Sequence, residues 1–299
     1  MPTIVPPWET EGVRPLWDKV MPRARAESHS GYLIAQLSDL HLTRPGVFFN
    51  GTCDGWARFS NALASIADLT PKPDCLVISG DIADRPDMGV YQRFRAMLDE
   101  SPIPVFAFPG NHDGREMFRI VFADAPYVDP TSEFINYVID GNGFRAIILD
   151  SLEPETGEAR LCPARLAWLE DRLAEEPETA TMVFMHHQPL YTRLDFPGAA
   201  EAFPGVLGLR AVLDRHDQVV RLACGHMHRP IFFLLGKTPV SVAASSTYQR
   251  TLTMDNAMPK AFCNEPPSML LHLWQPAMGL MTHIHFIGDF GPPDPMLDV

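Results

Sequence analysis

From Tyr32 onward, short apolar runs alternate with segments in which apolar residues recur at helical spacing. The runs YLIAQL, CLVIS and VFAF have the length and composition of buried strands. Helices are predicted over residues 54–69 and 88–99, and a further short helix begins near Arg115. Because strands alternating with helices are typical of layered proteins, this order predicts an α/β fold.

The middle of the chain departs from this alternation. Residues 134–140 and 144–150 are apolar runs joined by Gly-Asn-Gly, which predicts a β-hairpin rather than a helical crossover. A helix that starts at Pro163, a strand that ends before His186, a helix over 207–215 and another strand follow. The last third is rich in strand-like runs, so we expect a second sheet that packs against the first.

The composition predicts a folded protein with a sizeable core. Of the 299 residues, 46% are apolar and 20% are charged, which excludes a disordered or fibrous chain. The length leaves one or two domains open, since single α/β domains reach about 250 residues. We expect residues 1–30, which are rich in proline and lack periodicity, to form an N-terminal extension. Residues 31–290 then form the main domain and residues 291–299 a C-terminal tail.

The charge balance limits the partners. With 37 acidic and 24 basic side chains the formal net charge is −13, which argues against a nucleic-acid polymer, because binding to phosphate backbones relies on Lys and Arg. An anionic substrate would need positive charge from elsewhere, and metal ions are the obvious source. No stretch reaches the ~20 apolar residues of a membrane span, and the start lacks the apolar core of a secretory signal. We therefore expect no membrane association and a cytoplasmic location.

Polar side chains with metal-binding chemistry follow five of the strand-like runs, where α/β sheets usually place their sites. The five clusters are Asp39 with His41, Gly80-Asp81, Gly110-Asn111-His112-Asp113, His186-His187, and Gly225-His226-Met227-His228. Residues two apart on an extended segment project to the same side, so Asp39 with His41, and His226 with His228, can each converge. Imidazole, carboxylate and amide ligands suit Mn, Fe, Co or Zn. No cysteine belongs to the set, which argues against a structural zinc site.

Four of the five clusters also have a plain structural interpretation, whereas two histidines after a buried strand and Gly225 are an odd choice for a mere loop. Asp39 could cap a helix, Gly80-Asp81 and Gly110-Asn111 could be turns, and one of the two histidines His186 and His187 could be a core residue. The order of five strand-end clusters makes coincidence improbable. Other residues receive no catalytic role: the strand histidines are interpreted as structural, and Asp84-Arg85 as a neighbour of the ligands or a local ion pair. These strand histidines are His272, His283 and His285.

The series D-x-H, G-D, G-N-H-D, H and G-H-x-H resembles the calcineurin-like metallophosphoesterase superfamily. Its sequence contexts, LSDLHLT, VISGDIAD, PGNHD, MHHQP and CGHMHRP, look most like class III cyclic-nucleotide phosphodiesterases and bacterial glycerophosphodiesterases. The resemblance covers most of residues 32–290. It implies that the α/β fold is a two-sheet αββα sandwich and that residues 31–290 are a catalytic domain.

The same resemblance implies two divalent metal ions and a role for each polar cluster. Asp39, His41 and His228 would hold one metal, Asn111, His186 and His226 the other, and Asp81 would bridge both. The family pattern favours His186 over His187 as the ligand. His112 would be catalytic with Asp113 orienting it or a ligand histidine, and Asn111, His112 and Tyr248 would contact the substrate. Tyr248 stands where glycerophosphodiesterases have a further histidine.

The implied function is hydrolysis of a small phosphodiester, either a cyclic nucleotide or a glycerophosphodiester, by in-line attack of a hydroxide shared by the metals. The alternatives are a phosphomonoesterase or nuclease on the same metals, or an interaction scaffold whose metal site has decayed. All the ligand residues of the family pattern are present in this sequence, which argues against a decayed metal site. The proline-rich extension and the apolar strand-rich end leave a homo-oligomer open.

Three segments rich in glycine, proline and aromatic residues are expected to rim the pocket and set the leaving-group preference. They are residues 44–55, 190–205 and 249–267. Four of their aromatic rings could stack on a base, although packing within the loops is the weightier alternative. The four are Phe48, Phe49, Tyr191 and Phe196.

Overall fold

Two β-sheets share an apolar core in the computed structural model, which describes residues 31–192, 203–253 and 261–291. The expected N-terminal extension and nearly all of the expected tail lie outside the described residues. The elements follow in the order β1 (Tyr32–Leu37), α1 (Gly55–Asp68), β2 (Cys75–Ser79), α2 (Met88–Asp99), β3 (Val105–Phe108), α3 (Arg115–Val121), β4 (Tyr137–Asp140), β5 (Arg145–Ile148), β6 (Leu152–Glu153), β7 (Glu158–Ala159), α4 (Pro163–Glu175), β8 (Thr181–Phe184), α5 (Val206–Leu213), β9 (Val219–Cys224), β10 (Ile231–Leu235), β11 (Thr238–Val242), β12 (Gln249–Arg250), β13 (Phe262–Cys263), β14 (Ser268–Gln275) and β15 (Gly279–Phe286).

The first sheet has the strand order β15-β14-β1-β2-β3. Strands β1, β2 and β3 run parallel, and β14 is antiparallel to both β1 and β15. Every residue of β1, β2 and β3 is buried, which explains why these strands are continuous apolar runs rather than alternating ones. Their carboxyl ends therefore meet at one edge of the sheet.

The second sheet has the order β10-β11-β9-β8-β5-β4. The predicted hairpin is confirmed, since β4 and β5 pair antiparallel, whereas β5, β8 and β9 are parallel. Apart from the short antiparallel pair β12-β13, the strand-rich last third does not form a sheet of its own. It gives β10 and β11 to the second sheet and β14 and β15 to the first. Strand propensity is local, and pairing partners are decided by contacts far apart in the chain.

The helices cover the outer faces of the two sheets, which gives the predicted αββα layering. Apolar residues of α1, α2 and α3 belong to the same buried cluster as the first sheet. Leu169 of α4 and Leu209 of α5 belong to a second cluster with β8, β9 and β11. The caps follow from sequence: the Asp54 side chain accepts a hydrogen bond from the Ala57 N–H, and Pro163 opens α4.

His272 lies between the two sheets, as expected for a structural residue. The ring is fully buried and hydrogen-bonds Gln36 Oε1 at 3.0 Å and Thr282 Oγ1 at 2.9 Å. Burial, with a smaller contribution from Arg221, lowers the pKa of His272 to about 3. This histidine is therefore neutral and part of the core.

Candidate metal centre

The five loops that carry the polar clusters converge at the carboxyl ends of β1, β2, β3, β8 and β9. Main-chain hydrogen bonds join the first two loops, from Asp39 N to Gly80 O at 3.1 Å and from His41 N to Asp81 O at 2.9 Å. The Asp39 carboxylate accepts a hydrogen bond from His226 N at 3.0 Å, which ties the last loop to the first. Residues 187 positions apart are thus neighbours.

The backbone at these loops adopts an unusual conformation. Among the described residues, six that are not glycine have positive φ angles. Five of the six are site residues, namely Asp39, His41, Asp81, His226 and His228. A left-handed backbone at residues with a Cβ is strained by about 1–3 kcal/mol each, and such strain concentrates at functional sites. The strained backbone therefore lowers the stability of the fold and directs these side chains into the site.

The first group of donor atoms surrounds His41. The ring atom Nε2 of His41 lies 3.0 Å from His228 Nε2 and 3.5 Å from Asp81 Oδ2. His228 Nε2 lies 3.4 Å from Asp39 Oδ1. The other ring nitrogen of His228 hydrogen-bonds the Tyr248 carbonyl oxygen at 3.0 Å, which leaves Nε2 directed at the group. The three residues expected at one metal and the bridging Asp81 are therefore together.

The second group of donor atoms surrounds Asn111. The side-chain oxygen of Asn111 lies 3.1 Å from His186 Nε2 and 2.8 Å from His226 Nδ1. His186 Nε2 lies 3.3 Å from Asp81 Oδ1, the oxygen that also accepts a hydrogen bond from the His112 N–H. Asp81 thus presents one oxygen to each group. Asp81 therefore lies between the two groups.

The electrostatics of the two groups favour carboxylate anions beside histidines. Burial raises the pKa of Asp39, but His228 and His186 overcome that effect and lower the pKa to about 2. The pKa of Asp81 is held well below its usual value, because His186 and His41 outweigh its burial. In turn, Asp81 and Asp39 overcome burial and raise the pKa of His186 to about 9. The negative charge buried here suits a site for cations.

The adjacent histidines His186 and His187 have different surroundings. His186 Nδ1 hydrogen-bonds the Ser79 carbonyl oxygen at 2.8 Å, so its Nε2 is directed at Asp81 and Asn111. His187 Nδ1 instead lies 2.8 Å from the Ser151 hydroxyl, and burial followed by the neighbouring His186 holds its pKa well below the ordinary value. His187 lies close enough to His186 and His226 to share a site, but the geometry favours His186 as the ligand.

His112 lies at the open side of the two groups and is exposed. Its Nδ1 is 2.8 Å from the Asp84 carbonyl oxygen, and its ring centroid is 4.6 Å from that of His41. The ring therefore has its Nε2 free to face a substrate that approaches from the solvent. This placement suits the catalytic role expected for His112.

Asp113 is buried beneath the loops rather than directed into the site. Its carboxylate accepts hydrogen bonds from the N–H groups of Ile82, Ala83 and Gly110 at 3.0, 3.0 and 2.8 Å, and from the Tyr91 hydroxyl at 2.8 Å. Burial and the nearby Asp81 raise its pKa to about 6. The described contacts of Asp113 thus hold the Asp81 loop against the Gly110 loop, while the His112 ring is oriented by a main-chain oxygen.

Tyr248 is buried behind the histidines. Its ring stacks on Phe49 with centroids 3.9 Å apart and lies 4.9 Å from the His228 ring. Burial raises the pKa of its hydroxyl above the ordinary value. The described contribution of Tyr248 to the site is its carbonyl oxygen, which orients His228, rather than its phenol.

Several further groups position the ligands, and of these the sequence singled out only Asp84, as a neighbour of the ligands. Ser245 and Thr247 donate hydroxyl hydrogen bonds to the Asp39 carbonyl oxygen at 2.7 and 3.1 Å. The Asp84 carboxylate lies 3.5 Å from His41 Nδ1. The carbonyl oxygens of Ser79 and Tyr248 could not be identified from sequence at all, because every residue has one. Ser-Ser-Thr after a strand was a visible but unspecific signal.

An open cavity of about 470 Å³ adjoins His112. Its wall is lined by Val47, Phe48, Phe49 and Asn50 from the first expected rim segment, and by Arg85. Most of the second rim segment, including Phe196, and the middle of the third lie outside the described residues. No described helix is both long enough and apolar enough to cross a membrane.

The donor set fits two divalent cations. Two ring nitrogens that face each other at 3.0 Å, as in His41 and His228, need a shared proton or a cation between them. Two fully buried carboxylates, Asp39 and Asp81, also need positive charge nearby. Histidine, carboxylate and amide donors are those of Mn, Fe, Zn and Co sites. The residues present therefore suit the expected metals.

The chain is similar to phosphoesterases of known class. Residues 32–230 match the calcineurin-like phosphoesterase family. A probable glycerophosphodiester phosphodiesterase of Arcobacter nitrofigilis is 32% identical over 263 residues, which cover 88% of this chain and 96% of that protein. A cAMP/cGMP dual specificity phosphodiesterase of Mycobacterium tuberculosis is 28% identical, with 78% of this chain and 74% of that protein covered.

Solved structures agree with the fold. A dimetal phosphatase from Danio rerio superposes with a TM-score of 0.53 at 14% identity, over 86% of this chain and 99% of that one. At this sequence identity the structural similarity supports only the αββα architecture.

Proposed function

Because the chain belongs to the calcineurin-like phosphoesterase family and is a metal-dependent phosphodiester hydrolase, we propose that its substrate is a small phosphodiester, with a glycerophosphodiester as the first candidate. The observation that carries this proposal is the convergence of seven donor residues from five loops, with Asp81 at their centre. These residues are Asp39, His41, Asp81, Asn111, His186, His226 and His228. Mn, Fe, Zn and Co are the proposed metals.

The residues of this chain divide the work at the site. Two divalent cations, when bound, supply Lewis acidity toward phosphate oxygens and make water nucleophilic at neutral pH. Asp81 holds its two oxygens toward the two donor groups, and the amide oxygen of Asn111 faces His186 and His226. His112 stands on the solvent side of Asp81, where its imidazolium form can donate the Nε2 proton to the departing alkoxide while Nδ1–H stays bonded to the Asp84 carbonyl oxygen.

The preference for a small substrate follows from the cavity and the charge. A cavity of about 470 Å³ accommodates a phospholipid headgroup or a nucleoside. A substrate of this size, unlike a nucleic-acid polymer, needs no basic protein surface to bind. The formal net charge of −13 argues against nuclease action on long nucleic acid. The large share of each chain that aligns with the glycerophosphodiesterase relative supports that substrate class first.

A cyclic nucleotide is the second candidate. Phe48 lines the cavity with 48% of its surface exposed and no described ring partner, so it can receive a base. Phe49 is already stacked on Tyr248 and is less available. The similarity to a cyclic-nucleotide phosphodiesterase supports the same alternative.

A hydrolysis panel tests the proposal. The Mn²⁺-loaded protein is assayed with glycerophosphocholine, glycerophosphoethanolamine, cyclic AMP, cyclic GMP and the mono- and bis-nitrophenyl phosphates. We expect turnover of diesters over the monoester, abolished in Asp81→Ala and retained in Asp171→Ala, a matched loss of one exposed carboxylate on α4. Preference for the monoester would replace the diesterase with a phosphomonoesterase, and no turnover together with no bound metal would leave a scaffold.

A homo-oligomer and a cytoplasmic location remain predictions from the sequence. Light scattering of the full chain and of a chain lacking residues 1–30 tests the first, and cell fractionation tests the second. A monomeric mass for both chains, or recovery of the protein outside the cytoplasm, would contradict them.

A further inference from the structure

A second cavity, of about 320 Å³, lies apart from the residues that hold the metals. Arg58 and Asn61 of α1 form one side, Asn264 and Pro267 the other, and the buried Ile287 lies at its base. One guanidinium and two amides are the polar side chains of this lining, and no carboxylate belongs to it. On a chain with a formal net charge of −13, this lining combines one positive charge with amide hydrogen-bond donors.

The described hydrogen bonds of Arg58 include no acidic partner in this cavity. Its two described hydrogen bonds go to neutral acceptors, the Thr247 carbonyl oxygen and, at 3.4 Å, Asn264 Oδ1. A half-buried guanidinium with neutral partners gains more from an anion than one already paired with a carboxylate. The Asn61 side chain faces the same space and can add an N–H donor.

Arg58 also connects this cavity to the segment that positions the metal ligands. The residue whose carbonyl it binds, Thr247, donates its own hydroxyl to the Asp39 carbonyl oxygen at 3.1 Å. The next carbonyl along, that of Tyr248, orients His228 at 3.0 Å. Movement of the Arg58 guanidinium toward the cavity would therefore break its hydrogen bond to the Thr247 carbonyl oxygen. That oxygen is one residue before the Tyr248 carbonyl that orients His228.

We propose that the cavity between Arg58, Asn61 and Asn264 binds a phosphate group and that its occupancy slows the metal centre. A tetrahedral oxyanion accepts hydrogen bonds from several directions, which suits donors that converge from two sides of a cavity. The bound anion competes with Thr247 for Arg58 and loosens the support of Asp39 and His228. Inorganic phosphate and the phosphomonoester formed by diester hydrolysis share this chemistry.

Calorimetric titration of the Mn²⁺-loaded protein with inorganic phosphate tests the site directly. We expect two binding events in the wild type, one at the metals and one at Arg58. In Asn61→Asp and Asn264→Asp, a carboxylate enters the cavity, so the second event weakens by about tenfold or more through repulsion and competition for Arg58. Asn142→Asp makes the same charge change in the exposed β4–β5 turn and should leave both events intact.

Hydrolysis of bis(p-nitrophenyl) phosphate in the presence of phosphate tests the coupling. The wild type and Asn142→Asp should show a lower kcat as well as a higher KM, whereas Asn61→Asp should show the KM effect alone. Parallel series with sn-glycerol 3-phosphate and AMP distinguish a product monoester from free phosphate as the ligand. A single binding event in the wild type, or two unchanged events in Asn61→Asp, would overturn the site, and an unchanged kcat would overturn the coupling. Since the titration needs no turnover, it is independent of whether the proposed hydrolysis is correct.

Discussion

Two buried histidines from different regions of the described chain, His186 at the metal centre and His272 between the two sheets, have pKa values that are shifted in opposite directions. His186 at the centre is as buried as His272 in the core. The carboxylates Asp81 and Asp39 overcome burial and raise the pKa of His186 to about 9, whereas burial and Arg221 lower the pKa of His272 to about 3. Burial alone does not define a histidine's role. The charge and the hydrogen bonds that surround it do.

The largest expected effect comes from removing a histidine on the charged side of this comparison. His186→Ala deletes a nitrogen that faces both Asp81 and Asn111, so one metal should be lost and hydrolysis should fall to background. Metal content by atomic emission and kcat measured on the same preparation check this outcome. Retention of two metals per chain would contradict the assignment of His186.

His187 is the matched control for His186, because it is adjacent, also buried, and hydrogen-bonded to Ser151 rather than to a proposed ligand. We expect His187→Ala to retain two metals and to lose only part of its activity, through a repacked pocket. If His187→Ala lost a metal while His186→Ala kept both, the two residues would exchange roles.

His112→Ala separates chemistry from metal binding. His112 touches Asp81 through its main-chain N–H, which alanine also has, so both metals should remain. Loss of the ring removes the proposed proton donor, and kcat should fall by about 10²–10⁴-fold. Metal loss in this variant would show that His112 acts on the centre's structure instead.

His272 should produce the smallest effect, visible only in stability at acid pH. Its folded pKa of about 3 lies below the ordinary value of 6.5, so below pH 6.5 the unfolded chain takes up a proton that the folded chain refuses. Stability is therefore present above pH 6.5 and is lost as pH falls toward 3, by about 2 kcal/mol at pH 5.

His272→Gln keeps a side chain that can hydrogen-bond Gln36 but does not titrate. The free energy of unfolding that this variant loses between pH 7.5 and pH 5 should therefore be smaller than the loss in the wild type. Urea unfolding at the two pH values measures the difference. An equal loss in both proteins would show that other groups cause the acid sensitivity.

Much of the fold follows from local sequence signals. The runs that predict β1, β2 and β3 are buried strands in the structure, and the predicted helices appear within a few residues of their expected bounds. The division of the last third between two sheets could not be predicted from local signals, because β14 pairs with β1 across more than two hundred residues. Local patterns indicate a strand but not its neighbour.

The sequence by itself determined which side chains could serve the site, because Asp-x-His, Asn-His-Asp and His-x-His after apolar runs place competent donors at strand ends. Only the tertiary structure decided which nitrogen faces inward. That choice depends on the carbonyl oxygens of Ser79 and Tyr248, which hydrogen-bond His186 and His228 and which any residue would supply. The tertiary structure also determined the contact between Asn111 and His226, 115 positions apart, because packing of the whole core fixes the spatial order of the parallel strands.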